Sequence, residues 1–150
     1  MTIYTSYYAN IPNIPENFFL VATSGWIPPE IEQTVDSWNQ SLAPSKDIYN
    51  EYETTPDWKK YTQRFISERL TKVDWLEKLD QWEEKANKIG KNIDTIVLLC
   101  YEKPEDFCHR QILAESIENE FKTTVQEFGH DKYDRIDYRM KAQMNTDFLF

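Results

Sequence analysis

Leu98-Leu99-Cys100-Tyr101-Glu102-Lys103-Pro104-Glu105-Asp106-Phe107-Cys108-His109-Arg110 leads from an apolar run, Ile96 to Cys100, into an amphipathic segment that reaches about Phe121. The apolar run reads as a buried strand and the segment after it as a helix. Both cysteines of the chain, one of its two histidines and a guanidinium fall within this passage. Ligand sites in open α/β sheets gather where strands end and helices begin. Function is therefore expected at this junction.

Around it, Ile93 to Tyr101 is continuous enough in apolar character for a central parallel strand covered on both faces. The helix through Ile112, Leu113, Ile117 and Phe121 is expected to cover one face, and Thr123 to Phe128 to return as a short edge strand. Upstream, Trp75, Leu79, Trp82, Ala86 and Ile89 recur in steps of four, three, four and three, the spacing of a helix that Gly90 ends. Thr71 and Asp74 resemble a capping box at its start. Thr55-Pro56 predicts the start of another helix bearing Trp58, Tyr61 and Phe65, and Ser45 caps a shorter one through about Tyr52. The aromatic stripe is read as core packing. A short helix is expected somewhere between Glu30 and Trp38.

At the start, Ile3 to Tyr7 alternates like a strand. Phe18 to Ala22 is a second strand, its direction left open because the connection is short for a parallel crossover. Gly25 follows its end, either as a plain turn or as a point where a ligand approaches the backbone.

One domain with a real core suits 150 residues, 40% of them hydrophobic. No apolar run approaches the roughly 20 residues of a membrane span. Met1-Thr2-Ile3-Tyr4 lacks the pattern of a signal peptide, so a cytoplasmic location is expected. The formal net charge of −9 disfavours nucleic acid as a partner, since backbone binding needs a basic face. Two cysteines do not suggest a disulfide scaffold.

Three chemistries compete at the junction. A thiol near a helix N-terminus has its thiolate stabilised by the dipole, and Arg110 with Lys103 strengthens a field that also attracts phosphate or carboxylate. His109 then serves as general acid or base, Cys100 or Cys108 as nucleophile, and Glu102 orients His109 or acts as a second acid/base. Phosphatase and rhodanese loops share the order of elements, but they are tight and glycine-rich, unlike this one. The second chemistry is zinc on Cys100, Cys108, His109 and a distant fourth ligand such as His130. It is not expected, because adjacent helical residues such as Cys108 and His109 point about 100° apart. The third reading makes both cysteines plain buried hydrophobes.

The quoted stretch resembles the signature of the family catalogued as domain of unknown function 488. There an apolar strand ends in Cys-x-Glu, and Cys-His-Arg opens the next helix. Ile3 to Asn10, Leu42-Ala43-Pro44 and Tyr61 are similar to one branch of that family, and the resemblance extends over about Ile3 to Phe128. It implies a compact α/β domain and a shared site, without a reaction. It carries Cys100, Glu102, Cys108, His109 and Arg110 over as site residues, and adds Ser6, Tyr8 and Ser24 as walls.

The expectation is a single three-layer α/β domain over residues 1–128, with a small, mostly parallel sheet flanked by helices. Residues 129–150 are expected as a tail packing on the domain or on a partner. The expected function is binding of an anionic small molecule or nucleotide at the junction, with thiol- and imidazole-dependent catalysis as its extension. The alternative is a non-catalytic interaction or nucleic-acid-associated regulatory module docking phosphate or acidic groups there. Catalytic candidates are Cys100, Glu102, Cys108 and His109. Ligand-binding candidates are Arg110, Lys103, Ser6, Tyr8 and Ser24. No metal, cofactor or membrane partner is expected.

Overall fold

The computed structural model describes residues 1–103, 106 and 108–130. The expected tail therefore lies mostly outside the described residues. Among them, five strands form one sheet: β1 (Thr2–Tyr7), β2 (Phe19–Ala22), β3 (Ser37–Trp38), β4 (Thr95–Cys100) and β5 (Gln126–Glu127). Their order is β3-β2-β4-β1-β5, and every pairing is parallel. The helices are α1 (Pro29–Thr34), α2 (Lys46–Thr54), α3 (Trp58–Glu68), α4 (Trp75–Ile89) and α5 (His109–Phe121). The chain forms an α/β domain, as expected.

β4 is apolar from Ile96 to Cys100 because both of its faces are covered. Ile96 and Leu98 share a core with Ile3, Phe19 and Val21 of the neighbouring strands and with Phe65, Trp82, Ile112 and Leu113 from α3, α4 and α5. Val97 and Leu99 point the other way, onto Tyr8, Ile14, Leu20, Ala22 and Ile27. This alternation is the period of two that a strand imposes on its side chains. The second layer is thin, built from α1 and a 3-10 turn over Tyr8–Asn13. That compact turn resolves the direction of β2: both β1 and β2 run parallel to β4, on opposite sides of it.

Local signals set the helix ends. Ser45 caps α2 by accepting from the Ile48 amide, and Asp74 caps α4 by accepting from Glu77. Gly90 ends α4 in the left-handed region at φ 73°, where a side chain is strained. The start of α3 departs from expectation. Asp57, two residues after Thr55, accepts from the Lys59 and Lys60 amides. A carboxylate accepts more strongly than a hydroxyl and also meets the positive end of the helix dipole. Thr71 likewise falls in a separate 3-10 turn, Leu70–Lys72, rather than in a capping box.

In register, Leu99 of β4 lies between Ser6 of β1 and Ala22 of β2. The carboxyl ends of the three central strands are thus level. From this edge the chain runs on from β2 toward β3 and from β4, through α5, toward β5, in opposite directions along the sheet, the arrangement that opens a crevice in a parallel sheet.

Candidate functional site at the carboxyl edge of the sheet

Cys100 is the last residue of β4, and Cys108 is the N-cap of α5. Cys108 has extended backbone, φ −145° and ψ 147°. Its amide donates to Gln111 Oε1 at 3.1 Å, which fixes this first turn. The extended cap turns the Cys108 side chain back toward β4, and the structure joins its sulfur to that of Cys100 as a disulfide, with the Cα atoms 7.6 Å apart. The sequence suggested no such pairing. The short loop returning from strand to helix brings the two together.

His109 lies against the same sulfurs. Its Nε2 is 2.8 Å from the Thr23 carbonyl, so Nε2 carries the proton and donates it there. The Thr23 hydroxyl, 3.2 Å from Nε2, donates to the Leu99 carbonyl. Nδ1 is left with its lone pair, 3.8 Å from Cys108 Sγ. Phe65 packs edge-on to the ring. Burial pushes the imidazole down to about 4, opposed by the Thr23 carbonyl and reinforced by Arg110. His109 is therefore neutral at physiological pH and presents an acceptor, not a cation. The ligand atoms of Cys100, Cys108 and His109 all lie within 4.8 Å of one another. The helical fan that argued against joint coordination does not apply, because Cys108 precedes the first helical residue.

A cavity of about 680 Å³ opens on this cluster. Cys100, Cys108, His109 and Glu102 line it, with Ser24, Gly25 and Trp26 after β2, Lys46, Tyr49 and Glu53 from α2, and Tyr61 from α3. Trp26, Tyr49 and Tyr101 are exposed aromatic residues at its edge. The Tyr101 hydroxyl donates to the Trp26 carbonyl at 2.9 Å, tying the two loops together. Burial raises the Glu102 carboxyl above its ordinary range, although Arg110 pulls the other way. Its Oε2 is 3.5 Å from Cys100 Sγ.

The chain matches the DUF488-N3a family, described as the active DUF488-N3 subclade, over residues 14–121. It belongs to that family. No curated protein and no solved structure matches it. The part matched to DUF488-N3a holds all three members of the cluster, together with Glu102, Arg110 and the α2 and α3 walls of the cavity.

Within this DUF488-N3a domain, the sequence-predicted residues separate by where they lie. Cys100, Glu102, Cys108, His109 and Ser24 meet at the cavity. Tyr8 lies beneath it, donating to Ser24 Oγ at 2.6 Å and packing edge-on to Tyr101, and burial pushes its hydroxyl up to about 12. Ser6 is buried and accepts from Asn10, and Lys103 is exposed away from the lining. Arg110 corrects the expectation of a cation offered to an anion. It is fully buried, forks onto Glu127 and donates to Cys100 Sγ at 2.9 Å and to the Glu102 carbonyl at 2.6 Å. As the second helical residue it faces inward, where a carboxylate on β5 compensates its charge.

Thr23, Trp26, Lys46 and Glu127 were not singled out from sequence. Thr23 and Trp26 had a signal, since they flank the glycine after β2. Glu127 had a weak one, an acid within a strand-like segment.

Proposed function

We propose that the cavity binds an anionic small molecule of the nucleotide class, and that the Cys100, Cys108 and His109 cluster with Glu102 acts on it. The observation that carries this reading is the cluster itself: a neutral imidazole with its free Nδ1 3.8 Å from a sulfur, on the wall of a cavity of about 680 Å³. A lone pair so placed accepts a thiol proton and raises the fraction of thiolate. The aromatic edge formed by Trp26, Tyr49 and Tyr101 suits a planar ring, because a π-face stacks on any base. Lys46 is the cation among the described residues of the lining and suits the charged end of such a ligand. The designation of DUF488-N3a as active fits chemistry rather than passive docking. A cytoplasmic setting suits it too, since thiols stay reduced there.

The test is titration of the reduced protein with mononucleotides and with inorganic phosphate, read by tryptophan fluorescence. Binding of the nucleotide that weakens about tenfold or more in Trp26→Ala and in Lys46→Ala supports the reading. Equal affinity in all three proteins, or no binding, sinks it. Chromatography of nucleotide incubated with wild type and Cys108→Ser then separates the classes. Conversion lost in the variant while binding is kept marks an enzyme. Binding without conversion in either marks a docking module.

A further inference from the structure

We propose that the reduced Cys100 and Cys108, together with His109, form a site for a soft divalent metal of the zinc class, with a remaining coordination position open to the cavity. This deepens the reading above, since such a metal gives the cluster an electrophile to offer a bound anion. It shares the cluster with that reading but not the ligand.

The donor set carries the argument. Two sulfurs and one imidazole nitrogen are the ligands zinc prefers, and two cysteines with one histidine leave its fourth position for water or substrate. The three donor atoms lie within 4.8 Å of one another, and tetrahedral coordination at ordinary zinc bond lengths needs separations of roughly 3.3–3.8 Å. Small side-chain rotations cover that difference once the sulfurs are free to part.

The surroundings are also those of a ligand set. A metal-binding histidine characteristically gives its other N–H to a carbonyl or carboxylate, which fixes the ring and frees one lone pair. His109 does this through Nε2–H to Thr23, and Nδ1 faces the sulfurs. Arg110 Nη1 donates to Cys100 Sγ at 2.9 Å, a charge-assisted contact that favours the thiolate form a metal requires. Glu102 Oε2, 3.5 Å from Cys100 Sγ, is placed to reach the open position or to hold a water there. A pair of inert buried thiols needs neither the oriented imidazole nor the guanidinium.

The disulfide and the metal use the same two sulfurs, so they exclude each other. That gives a control within the wild-type chain. The full-length protein is titrated with cobalt(II) alone, once after reduction and removal of the reductant under nitrogen, and once in the disulfide form. The reduced chain is expected to take up about one cobalt with a thiolate-to-metal charge-transfer band and tetrahedral d–d bands, both lost on adding zinc. The disulfide form is expected to show neither, and Cys108→Ala and His109→Ala to lose the tetrahedral signature. No band in the reduced chain, or the same band in the disulfide form, overturns the proposal. The nucleotide titration is run separately on metal-free protein, so loss of one result does not carry the other with it.

Discussion

The guanidinium of Arg110 forks onto the carboxylate of Glu127, with Nε to Oε1 at 3.1 Å and Nη2 to Oε2 at 3.0 Å, and both side chains are fully buried. The Thr5 hydroxyl also donates to Oε1 at 2.6 Å, so β1, β5 and α5 meet at one carboxylate. This ties the first turn of the site helix to the far edge of the sheet. Arg110 thereby becomes a structural partner of the cysteines rather than a ligand contact.

Arg110→Ala takes the guanidinium from the buried Glu127 carboxylate and leaves it the Thr5 hydroxyl. Removing one partner of such a buried pair costs about 3–5 kcal/mol. The urea midpoint should fall by an amount corresponding to that loss. A change below about 1 kcal/mol would show that Glu127 is solvated or otherwise compensated.

His109 makes stability fall in mild acid. Its imidazole titrates at about 4 in the folded chain and near 6.5 when unfolded. Only the unfolded chain takes up this proton between those values, so stability is full above about pH 6.5 and declines as pH falls toward 4. The loss is on the order of 3 kcal/mol and levels off below pH 4. Urea unfolding at pH 7 and pH 4.5 measures it, and the difference should shrink in His109→Gln. An unchanged difference in that variant would place the acid sensitivity elsewhere.

The two thiols should differ once the bridge is reduced. Both are buried, but Cys108 faces the His109 lone pair at the start of α5 and is 3% exposed, whereas Cys100, although it accepts from Arg110, is 0% exposed at the end of β4. Brief iodoacetamide treatment of the metal-free reduced protein at neutral pH should therefore modify Cys108 first, as read by peptide mass spectrometry. The disulfide form should take up no label. Equal, slow labelling of both thiols would contradict activation by His109.

Capping of α3 separates local expectation from tertiary outcome. Asp57→Ala should cost about 1 kcal/mol, since the carboxylate serves two orphan amides. Thr55→Ala should change stability by less than about 0.5 kcal/mol. The reverse order would restore the cap to Thr55.

Features that depend on near neighbours can be read along the chain. The apolar run of β4, the spacing of Trp75 and Trp82 on α4, the Gly90 terminus and the Cys-His-Arg opening of α5 are legible because side-chain period and capping act over a few residues. They mark the strand–helix junction at which Cys100, Cys108 and His109 come together. Tertiary structure decided what those side chains do. Thr23, 86 positions from His109, fixes which imidazole nitrogen faces the sulfurs. Glu127, 17 positions from Arg110, withdraws the guanidinium from the cavity. The extended backbone of Cys108 aims its sulfur at Cys100, where helical spacing alone would have sent it elsewhere. Parallel strands bring residues distant in sequence to one edge of the sheet, and neither their spacing nor their residue types records which partner each will meet there.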